Sequence, residues 1–205
     1  LLFMSRYSVS IWYISRTIEV VSKLTVLVIF MCHIFSALRV TKDIAHRDPL
    51  TNIFNRNYFF NELTVQSASA KKTPYCVMIM DIDHFKAYND HYGHMMGDQA
   101  LKRVSAAIRD AVRSRDIVAR FGGEEFMVLL TNSSEETAWK TAERIRQRVY
   151  DLKIPHMFNE SVATNVTISI GLTPLINDNI EQALARADGA LYEAKNKGRN
   201  IILAS

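Results

Sequence analysis

The sequence predicts an α/β (α+β) protein, with one central sheet flanked by helices and preceded by an N-terminal hydrophobic helix. From residue 55 onward, short apolar runs typical of strands interleave with segments whose apolar residues recur at helical spacing. Such interleaving favours one sheet with helices packed against it. Ahead of these elements, residues 24–38 form an uncharged apolar stretch. We therefore expect an N-terminal segment followed by one folded domain.

The N-terminal segment has the composition of a membrane helix. Lys23 and Arg39 bracket the uncharged residues 24–38, a stretch shorter than the roughly 20 residues that a span needs. The long basic side chains can extend it by reaching toward the lipid headgroups. We expect residues 1–38 to be the membrane end of a truncated sensor and residues 39–47 to be a linker helix. The alternative is a soluble helix that is buried or faces a partner.

The charge distribution argues against a nucleic-acid partner. The chain has 205 residues and a formal net charge of +4. Residues 1–47 hold this whole excess, while residues 48–205 carry 19 basic and 19 acidic residues. The body of the chain therefore provides no basic face for duplex DNA. Because the chain begins at Leu1, we expect a fragment or a processed form.

Five apolar runs predict the strands of the sheet. The first, Tyr-Cys-Val-Met-Ile-Met, is continuously apolar, which is typical of a buried strand. Two others stand on either side of Gly122-Gly123, which suggests a hairpin. The predicted strands are 75–80, 117–121, 126–130, 166–172 and 201–203.

Four segments have apolar residues at helical spacing. Asn55 can cap the first of these helices with its side-chain oxygen. Val104 and Ile108 lie on the apolar face of the second. The polar stretch 84–97 predicts no regular element. The predicted helices are 55–70, 98–112, 135–152 and 180–196.

Four acidic residues lie where predicted strands end or begin. Asp81 and Asp83 follow the first strand, and alternation along a strand puts both on one face if the strand continues. Glu124 and Glu125 follow Gly122-Gly123, whose glycines permit positive φ at both positions of a tight turn. Such a hairpin could bring a carboxylate beside Asp81. The alternative for any single acidic pair is solvated surface.

Clustered carboxylates indicate a cation site, because they repel one another unless a cation lies among them. Oxygen ligands favour Mg²⁺, which typically takes one or two carboxylates together with substrate phosphates. Metal ions in such sites activate a nucleophile and neutralise developing charge. The cluster therefore favours nucleotidyl transfer.

Several polar residues are candidates for binding a nucleotide. Lys86 follows the first strand and can serve as a point charge for phosphate. Lys195 and Arg199 form a basic pair at a predicted helix end, where a helix-dipole role is the alternative. Asn89 and Asp98 carry groups that can read a guanine edge, although Asp98 can equally be the N-cap of the helix after Gly97.

These residues together resemble a known family, the GGDEF-domain diguanylate cyclases. The resemblance covers about residues 48–203, and its motifs occur in the family's order and spacing. One such motif alone would be weak evidence, whereas the ordered set is specific. The motifs are Asp81-Ile82-Asp83-His84-Phe85-Lys86, Asn89-Asp90, Gly93-His94, Gly97-Asp98, Arg120-Phe121-Gly122-Gly123-Glu124-Glu125-Phe126, and Ala194-Lys195 with Gly198-Arg199-Asn200.

The resemblance implies a fold and a reaction. The fold would be a five-stranded, helix-flanked sheet related to the adenylyl cyclases and polymerase palm domains. Two GTP molecules would condense to cyclic di-GMP with release of two pyrophosphates, using Mg²⁺ or Mn²⁺. The active site would close only between the two subunits of a homodimer. The enzyme would sit in the bacterial inner membrane through residues 1–38, with its cyclase domain in the cytoplasm.

The resemblance also implies a role for each matching residue. The metal ligands would be Asp81, the Ile82 carbonyl and Glu124, and the catalytic residues Glu125 and Glu124. The substrate-binding residues would include guanine readers and phosphate contacts, with Phe85 acting through its backbone. These are Asn89, Asp98, His94, Phe85, Lys86, Lys195 and Arg199.

A second site is similar to the family's RxxD inhibitory site, where the product cyclic di-GMP binds and restrains the enzyme. Arg113 and Asp116 stand at the family's offset from Gly122. Arg144 is expected as a secondary contact by its spacing. A charged helix end is the alternative reading of this motif.

One position departs from the family. Where the family commonly has Asp-x-Leu-Thr-Gly-Leu, this chain has Asp48-Pro49-Leu50-Thr51-Asn52-Ile53. Asparagine tolerates positive φ better than most residues, so we expect the turn to persist. Two alternatives to an active cyclase remain open, a GTP or cyclic di-GMP binding module without turnover, and a remnant that has lost its regulation.

Overall fold

The computed structural model describes residues 2–69, 74–159, 162–175 and 180–205, and the side chains of residues 11–35 and 46–66 in the first of these ranges. Contacts divide the chain into two compact units, Leu1–Ala45 and His46–Ser205. Helix α1, Leu2–His46, forms the first unit and ends at the first residue of the second. Within α1, the stretch Ile11–Phe35 is long and apolar enough to cross a membrane, with a mean hydropathy of 2.0.

The second unit is built on a six-stranded sheet of order β1-β3-β4-β2-β5-β6. The central strand β2 pairs antiparallel with β4 on one side and with β5 on the other. Short parallel pairs close both edges, β1 with β3 and β5 with β6. The strands are β1 Phe54–Asn55, β2 Tyr75–Ile82, β3 Ile117–Arg120, β4 Glu125–Thr131, β5 Ile168–Leu175 and β6 Ile202–Ala204.

The five predicted strands are present, but the predicted number was wrong by one. The additional strand β1 has only two residues, and Phe54 pairs with Ala119 at the sheet edge. Two residues cannot show an alternating pattern, so no sequence signal marks this strand. The general architecture, a helix-flanked sheet, is confirmed.

Helices cover both faces of this sheet. Helices α2 and α6 pack on one face, and α4 and α5 on the other. The prediction missed one helix, α3, because its sequence is polar and ends directly before Gly93. In the described residues, the helices of this unit are α2 Arg56–Ser69, α3 Phe85–Tyr92, α4 His94–Ala111, α5 Glu135–Tyr150 and α6 Ile180–Asn196, and a 3₁₀ turn lies at Met157–Asn159.

Burial on both faces explains the continuous apolar run of β2. Its eight residues are all buried. Cys76 and Met78 belong to the core under α4 and α5, whereas Val77 and Ile79 belong to the core under α2 and α6. Successive side chains of a strand point to opposite faces. By this alternation Asp81 emerges on the side of α6, at the end of the strand.

Candidate functional site

A cleft of about 190 Å³ lies where the end of β2 meets the β3–β4 hairpin and the C-terminal end of α6. Three separate parts of the sequence converge there. The cleft brings together most of the residues predicted for metal and phosphate binding. Its lining consists of Asp81, Ile82, Asp83, His84, Phe85, Lys86, Glu124, Lys195 and Arg199.

Asp81 is the buried acid of this cleft. It lies opposite Glu125 in β4 and opposite Ser169 in β5, and only 8% of its surface is exposed. Burial raises the pKa of Asp81 to about 6, and the nearby charges of Glu124 and Glu125 add to this effect. Lys195 opposes it, with its Nζ 2.9 Å from Asp81 Oδ1. A cation bound beside Asp81 would therefore stabilise its charged form.

The β3–β4 hairpin brings Glu124 and Glu125 to the end of β2. The Ile82 amide donates to the Glu124 carbonyl at 3.3 Å, and the Phe121 amide donates to the Glu125 carbonyl at 2.8 Å. The expected apposition of Asp81 with this hairpin is therefore present. Glu124 lines the cleft, whereas Glu125 is the first residue of β4.

The prediction of positive φ at Gly122 and Gly123 was wrong. Neither residue has a left-handed φ. The structure gives another reason for glycine at position 122, since a Cβ there would lie 2.8 Å from Glu125 Oε2. A side chain at Gly122 would push on the carboxylate, so this glycine allows the turn to approach Glu125 closely.

Arg120 holds the hairpin turn from behind. Its guanidinium donates to the Gly122 carbonyl at 3.1 Å and to the Gly123 carbonyl at 2.7 Å. The same group lies 3.1 Å from Asp48 Oδ1. Burial alone would raise the pKa of Asp48, but hydrogen bonds from Thr51 and the charge of Arg120 outweigh it and hold the pKa below its usual range. The sequence offers no local signal for a pair 72 positions apart.

The turn that departs from the family pattern persists. Asn52 has a φ of 58°, the left-handed conformation expected for it. The Asn52 amide donates to the Asp48 carbonyl at 2.9 Å, and the Asp48 amide donates to the Ile53 carbonyl at 2.9 Å. The turn therefore presents the Asp48 side chain to Arg120.

Asp83 does not take part in the cleft as a free carboxylate. Only 1% of its surface is exposed, and its two oxygens accept hydrogen bonds from Thr167, Ser169 and Asn200. The grouping of Asp83 with the cation-binding acids was therefore wrong. Buried charges require hydrogen-bond partners, and here the Thr167 hydroxyl, the Ser169 hydroxyl of β5 and the Asn200 amide supply them.

The candidate guanine-reading residues lie together on the α3–α4 helix pair, away from the cleft lining. The Asn89 Oδ1 atom is buried without a hydrogen-bond partner among the described residues. It lies so close to Gly97 that a Cβ there would come within 1.9 Å of it. Gly97 thus makes room for Asn89 and directly precedes the exposed Asp98.

Helix α4 starts earlier than predicted. It begins at His94, with Gly93 as the N-cap at a φ of 81°. Asp98 therefore lies inside the helix, and the alternative reading of Asp98 as N-cap was wrong. The early start places the exposed His94 in the first turn of α4.

The phosphate-contact candidates lie at two element ends. Phe85 and Lys86 are the first residues of α3, where backbone N–H groups are free to face an anion. Phe85 is buried, and Lys86 is exposed. Lys195 lies in the last turn of α6, and Arg199 follows in a turn with a φ of 60°. All four line the cleft.

The donors at the cleft fit a hard divalent cation. Asp81 and Glu124 offer carboxylates and Ile82 offers a carbonyl, so the set contains only oxygen. In the described parts of the chain, no three His, Cys, Asp or Glu side chains converge to hold a metal. The protein would thus supply one or two carboxylates, which is the usual share for Mg²⁺ beside substrate phosphates.

A second cavity, of about 280 Å³, lies beside the C-terminal end of α4. Its lining includes the predicted Arg113 and Asp116. Asp116 already accepts from the Arg113 amide at 3.0 Å and from the Thr131 amide at 3.1 Å. The lining also contains Arg47, Arg109 and Phe54, which were not predicted from the sequence.

Arg144 lies outside the lining of this second cavity. It stands on α5, and its Nε donates to the carbonyl of Ala111 at 2.7 Å. Its Nη2 atom is 3.3 Å from the Thr141 hydroxyl. These contacts tie α5 to the end of α4, next to the segment that carries Arg113.

Two protein-family models match the chain. Residues 45–201 match the model described as diguanylate cyclase, GGDEF domain. Residues 1–38 match the model described as membrane-associated sensor, integral membrane domain. The two matches leave only residues 39–44 between them.

Curated relatives share these descriptions. The chain is 64% identical over 205 residues to a probable diguanylate cyclase, DgcT, of Escherichia coli, covering 99% of this chain and 45% of that protein. It is 41% identical over 157 residues to the diguanylate cyclase DosC of Escherichia coli, covering 76% of this chain and 34% of that protein. The chain thus spans less than half the length of these relatives.

Solved structures support the fold. The coiled coil and GGDEF domain of DgcB from Caulobacter crescentus, in complex with c-di-GMP, align with a TM-score of 0.80 and 30% identity, covering 90% of this chain and 98% of that one. The diguanylate cyclase SiaD of Pseudomonas aeruginosa, in complex with its activator SiaC, aligns with a TM-score of 0.73 and 26% identity, covering 98% of this chain and 77% of that one.

Proposed function

Because the chain belongs to the family of GGDEF-domain diguanylate cyclases, we propose that it condenses two GTP molecules into cyclic di-GMP and releases two pyrophosphates. One observation carries this proposal. The buried Asp81 faces a hairpin with two glutamates and a basic C-terminal segment across a single cleft. Carboxylates beside basic groups suit a nucleotide triphosphate with its cation.

Each residue of the cleft has a role in this proposal. Asp81, Glu124 and the Ile82 carbonyl would hold Mg²⁺ or Mn²⁺, which when bound neutralises charge on the triphosphate. Lys86, Lys195 and Arg199 bind the phosphates by charge. The backbone of Phe85 offers an N–H at the start of α3.

The α3–α4 helix pair supplies base recognition in this proposal. Asp98 accepts hydrogen bonds from the N1–H and N2–H₂ groups of guanine, and Asn89 completes the contact from the neighbouring helix α3. His94 lies four residues before Asp98 on the same helix and contributes to the same binding surface.

The chemical step is a displacement at phosphorus, repeated twice. The ribose 3′-hydroxyl of one GTP loses its proton and attacks the α-phosphorus of the other. A P–O bond forms while the bond to the β-phosphate breaks, and pyrophosphate leaves. Glu125, beside Asp81 in the register of β2 and β4, assists removal of that proton together with Glu124. Two GTP molecules facing one another require two copies of the cleft, hence a homodimer.

Regulation by product is the second part of the proposal. The cavity of Arg113 and Asp116 would bind cyclic di-GMP and restrain the enzyme. Three arginines and one aromatic ring line it, which suits a ligand with both phosphates and bases. Arg144 would act from the neighbouring helix as a secondary contact.

Residues 1–38 would anchor the protein in the bacterial inner membrane, with the cyclase domain in the cytoplasm. The family match of this segment and the apolar stretch Ile11–Phe35 support membrane association. The basic residues Arg39 and Lys42 that follow favour a cytoplasmic exit. Protease treatment of intact spheroplasts, which should leave the cyclase domain uncut, tests the orientation.

One assay tests the proposed activity. The full chain in detergent micelles is incubated with GTP and Mg²⁺, and cyclic di-GMP and pyrophosphate are quantified. Two pyrophosphates are expected for each cyclic di-GMP, one for each phosphodiester bond formed. GTP binding by a dimer that forms no product would instead favour a binding module.

A further inference from the structure

We propose that Asp83 is a positioning residue, which holds the Arg199–Asn200 turn against the end of β2 and so sets the Arg199 guanidinium in the cleft. This inference rests on the proposed function, in which Arg199 contacts the phosphates of GTP. Asp83 would bind neither the cation nor the substrate. It would act through the turn that carries Arg199.

Other groups of the protein donate hydrogen bonds to the Asp83 carboxylate. Its Oδ1 accepts from the Ser169 hydroxyl at 2.6 Å, and its Oδ2 accepts from the Thr167 hydroxyl at 2.7 Å. The Asn200 amide donates to the same Oδ2 at 3.1 Å. Only 1% of the residue is exposed, while Thr167 and Ser169 are fully buried. Hydrogen bonds to a buried carboxylate of this kind are strong and directional.

The turn that Asp83 holds has an unfavourable backbone conformation. Gly198, Arg199 and Asn200 have φ values of 115°, 60° and 48°. Non-glycine residues adopt positive φ at a cost, and such conformations persist where surrounding contacts maintain them. The Asp83 carboxylate makes one of these contacts, because it binds the Asn200 amide.

Other contacts also hold this turn. The Arg199 amide donates to the Ala194 carbonyl at 3.1 Å. Arg146 of α5 donates to Asn200 Oδ1 at 3.0 Å. Asp83 differs from these partners because it sits two residues beyond Asp81, at the end of the strand that forms the cleft. It therefore fixes the turn relative to the acid of the cleft.

Contacts from the end of β2 hold both Lys195 and the turn of Arg199, the two basic residues at the C-terminal side of the cleft. Lys195 reaches Asp81 directly at 2.9 Å. Arg199, four residues later, is connected through the Asn200 amide to Asp83. The acids at positions 81 and 83 thus each hold one part of the basic C-terminal segment. A shift of Asp83 would move Arg199 while leaving Asp81 and Lys195 in contact.

The test compares two variants of Thr167 and one of Asp83 in the full chain in detergent micelles. T167S retains the hydroxyl that donates to Asp83, whereas T167V removes it with nearly the same volume. D83N leaves the shape but replaces an acceptor oxygen with a donor. We expect D83N to raise the KM for GTP about tenfold, because a misplaced contact weakens binding. T167V should raise it roughly threefold and T167S should match the wild type.

A double-mutant cycle with R199A distinguishes positioning from general damage. If Asp83 acts through Arg199, D83N should raise the KM for GTP much less in the R199A background than in the wild type. The Mg²⁺ concentration for half-maximal activity should stay the same in D83N. An equal effect of D83N in both backgrounds, or a changed Mg²⁺ requirement, would overturn the inference.

The outcome also separates this inference from the proposed function. Binding of a fluorescent GTP analogue is measured beside product formation. A wild type that neither binds GTP nor forms cyclic di-GMP defeats the proposed function and the inference with it. An active wild type whose T167V and T167S variants have the same KM for GTP defeats the inference alone, and this pair decides the matter if D83N does not fold.

Discussion

Arg120 and Asp48 form an ion pair at 3.1 Å between residues 72 positions apart in the sequence. Both side chains are largely buried, with 16% and 18% of their surface exposed. The same guanidinium donates to the carbonyls of Gly122 and Gly123. Asp48, two residues after the end of α1, is therefore connected through the Arg120 side chain to the turn that presents Glu124.

Replacement of Arg120 by lysine should lower both activity and stability. Lysine keeps the charge but cannot form the planar fork that serves Asp48 and two carbonyls at once. We expect product formation to fall at least about tenfold and unfolding to require about 1–3 kcal/mol less free energy. Initial rates and denaturant titrations measure the two effects. The control is R148K, at an exposed position on α5. An unchanged rate of product formation in R120K would contradict the proposed dependence of catalysis on the contacts of Arg120.

Each glutamate of the hairpin should be necessary for catalysis. We expect E124Q and E125Q to reduce cyclic di-GMP formation by about a hundredfold or more, since each removes a charge beside the reacting phosphates. Pyrophosphate release measures the loss. E135Q, at an exposed position on α5, should retain the wild-type rate. Wild-type turnover in both hairpin variants would remove this pair from the chemistry.

Alanine at Gly97 should weaken GTP binding without unfolding the protein. The new Cβ would meet Asn89 Oδ1 at 1.9 Å, and the end of that side chain can rotate away. We expect the KM for GTP to rise roughly tenfold, because a guanine contact is displaced. G189A is the matched control, as a Cβ there meets nothing within 4 Å. If GTP binds G97A and wild type equally well, Asn89 does not read the base.

Arg113 is a better residue than Asp116 for testing product inhibition. Asp116 also binds the Arg113 and Thr131 amides, so its removal would damage the fold as well as the cavity. R113A should weaken cyclic di-GMP binding about tenfold or more, as expected for loss of a charged phosphate contact. Calorimetric titration in an E125Q background measures binding without turnover. Equal product affinity in R113A and wild type would exclude this cavity as the inhibitory site.

The stability of the domain should fall as the pH drops below about 6.5. Burial lowers the pKa of His156 below its ordinary value of 6.5, although the His84 carbonyl partly opposes this. The unfolded chain then binds the proton more readily, so stability is fully present above pH 6.5 and is lost as the pH falls through the folded pKa. The slope is at most about 1.4 kcal/mol per pH unit for one group.

The titration of Asp81 limits the pH range in which the effect of His156 on stability can be measured. The pKa of Asp81, raised by burial to about 6, acts in the opposite direction between 3.8 and about 6, where the folded state binds more protons. Denaturant titrations of the full chain between pH 7 and 6 therefore report mainly on His156 and on His84, whose pKa is also lowered by burial. H156Q should flatten the decline, whereas H91Q, at an exposed position on α3, should not. A decline that persists unchanged in H156Q would contradict this assignment.

Local sequence patterns predicted the elements with strong periodicity. Helix α6 occupies Ile180–Asn196 as predicted, and the capping role of Asn55 is confirmed by its bond from the Tyr58 amide at 3.0 Å. The polar helix α3 has too short an apolar face to show a period of 3.6. For the same reason the two residues of β1 escaped prediction.

The environment of each side chain was beyond sequence reasoning. Alternation would place Asp81 and Asp83 on one face only if the strand continued to residue 83, but β2 ends at Ile82. Whether each acid meets solvent, a cation or hydroxyls depends on β5, which lies far away in the sequence. Likewise, the reason for Gly122 is the position of the Glu125 carboxylate and not the backbone angle.

The central position of β2 has a consequence for folding. Asp81 pairs with Glu125 on one side and with Ser169 on the other. Both partner strands of β2 therefore lie much later in the sequence. Non-local pairing of this kind slows folding. Until those partners arrive, Tyr75–Met80 is an unpaired apolar segment without a charge, and such segments promote aggregation. We expect refolding yields to fall with rising protein concentration, with this strand as the nucleus of association.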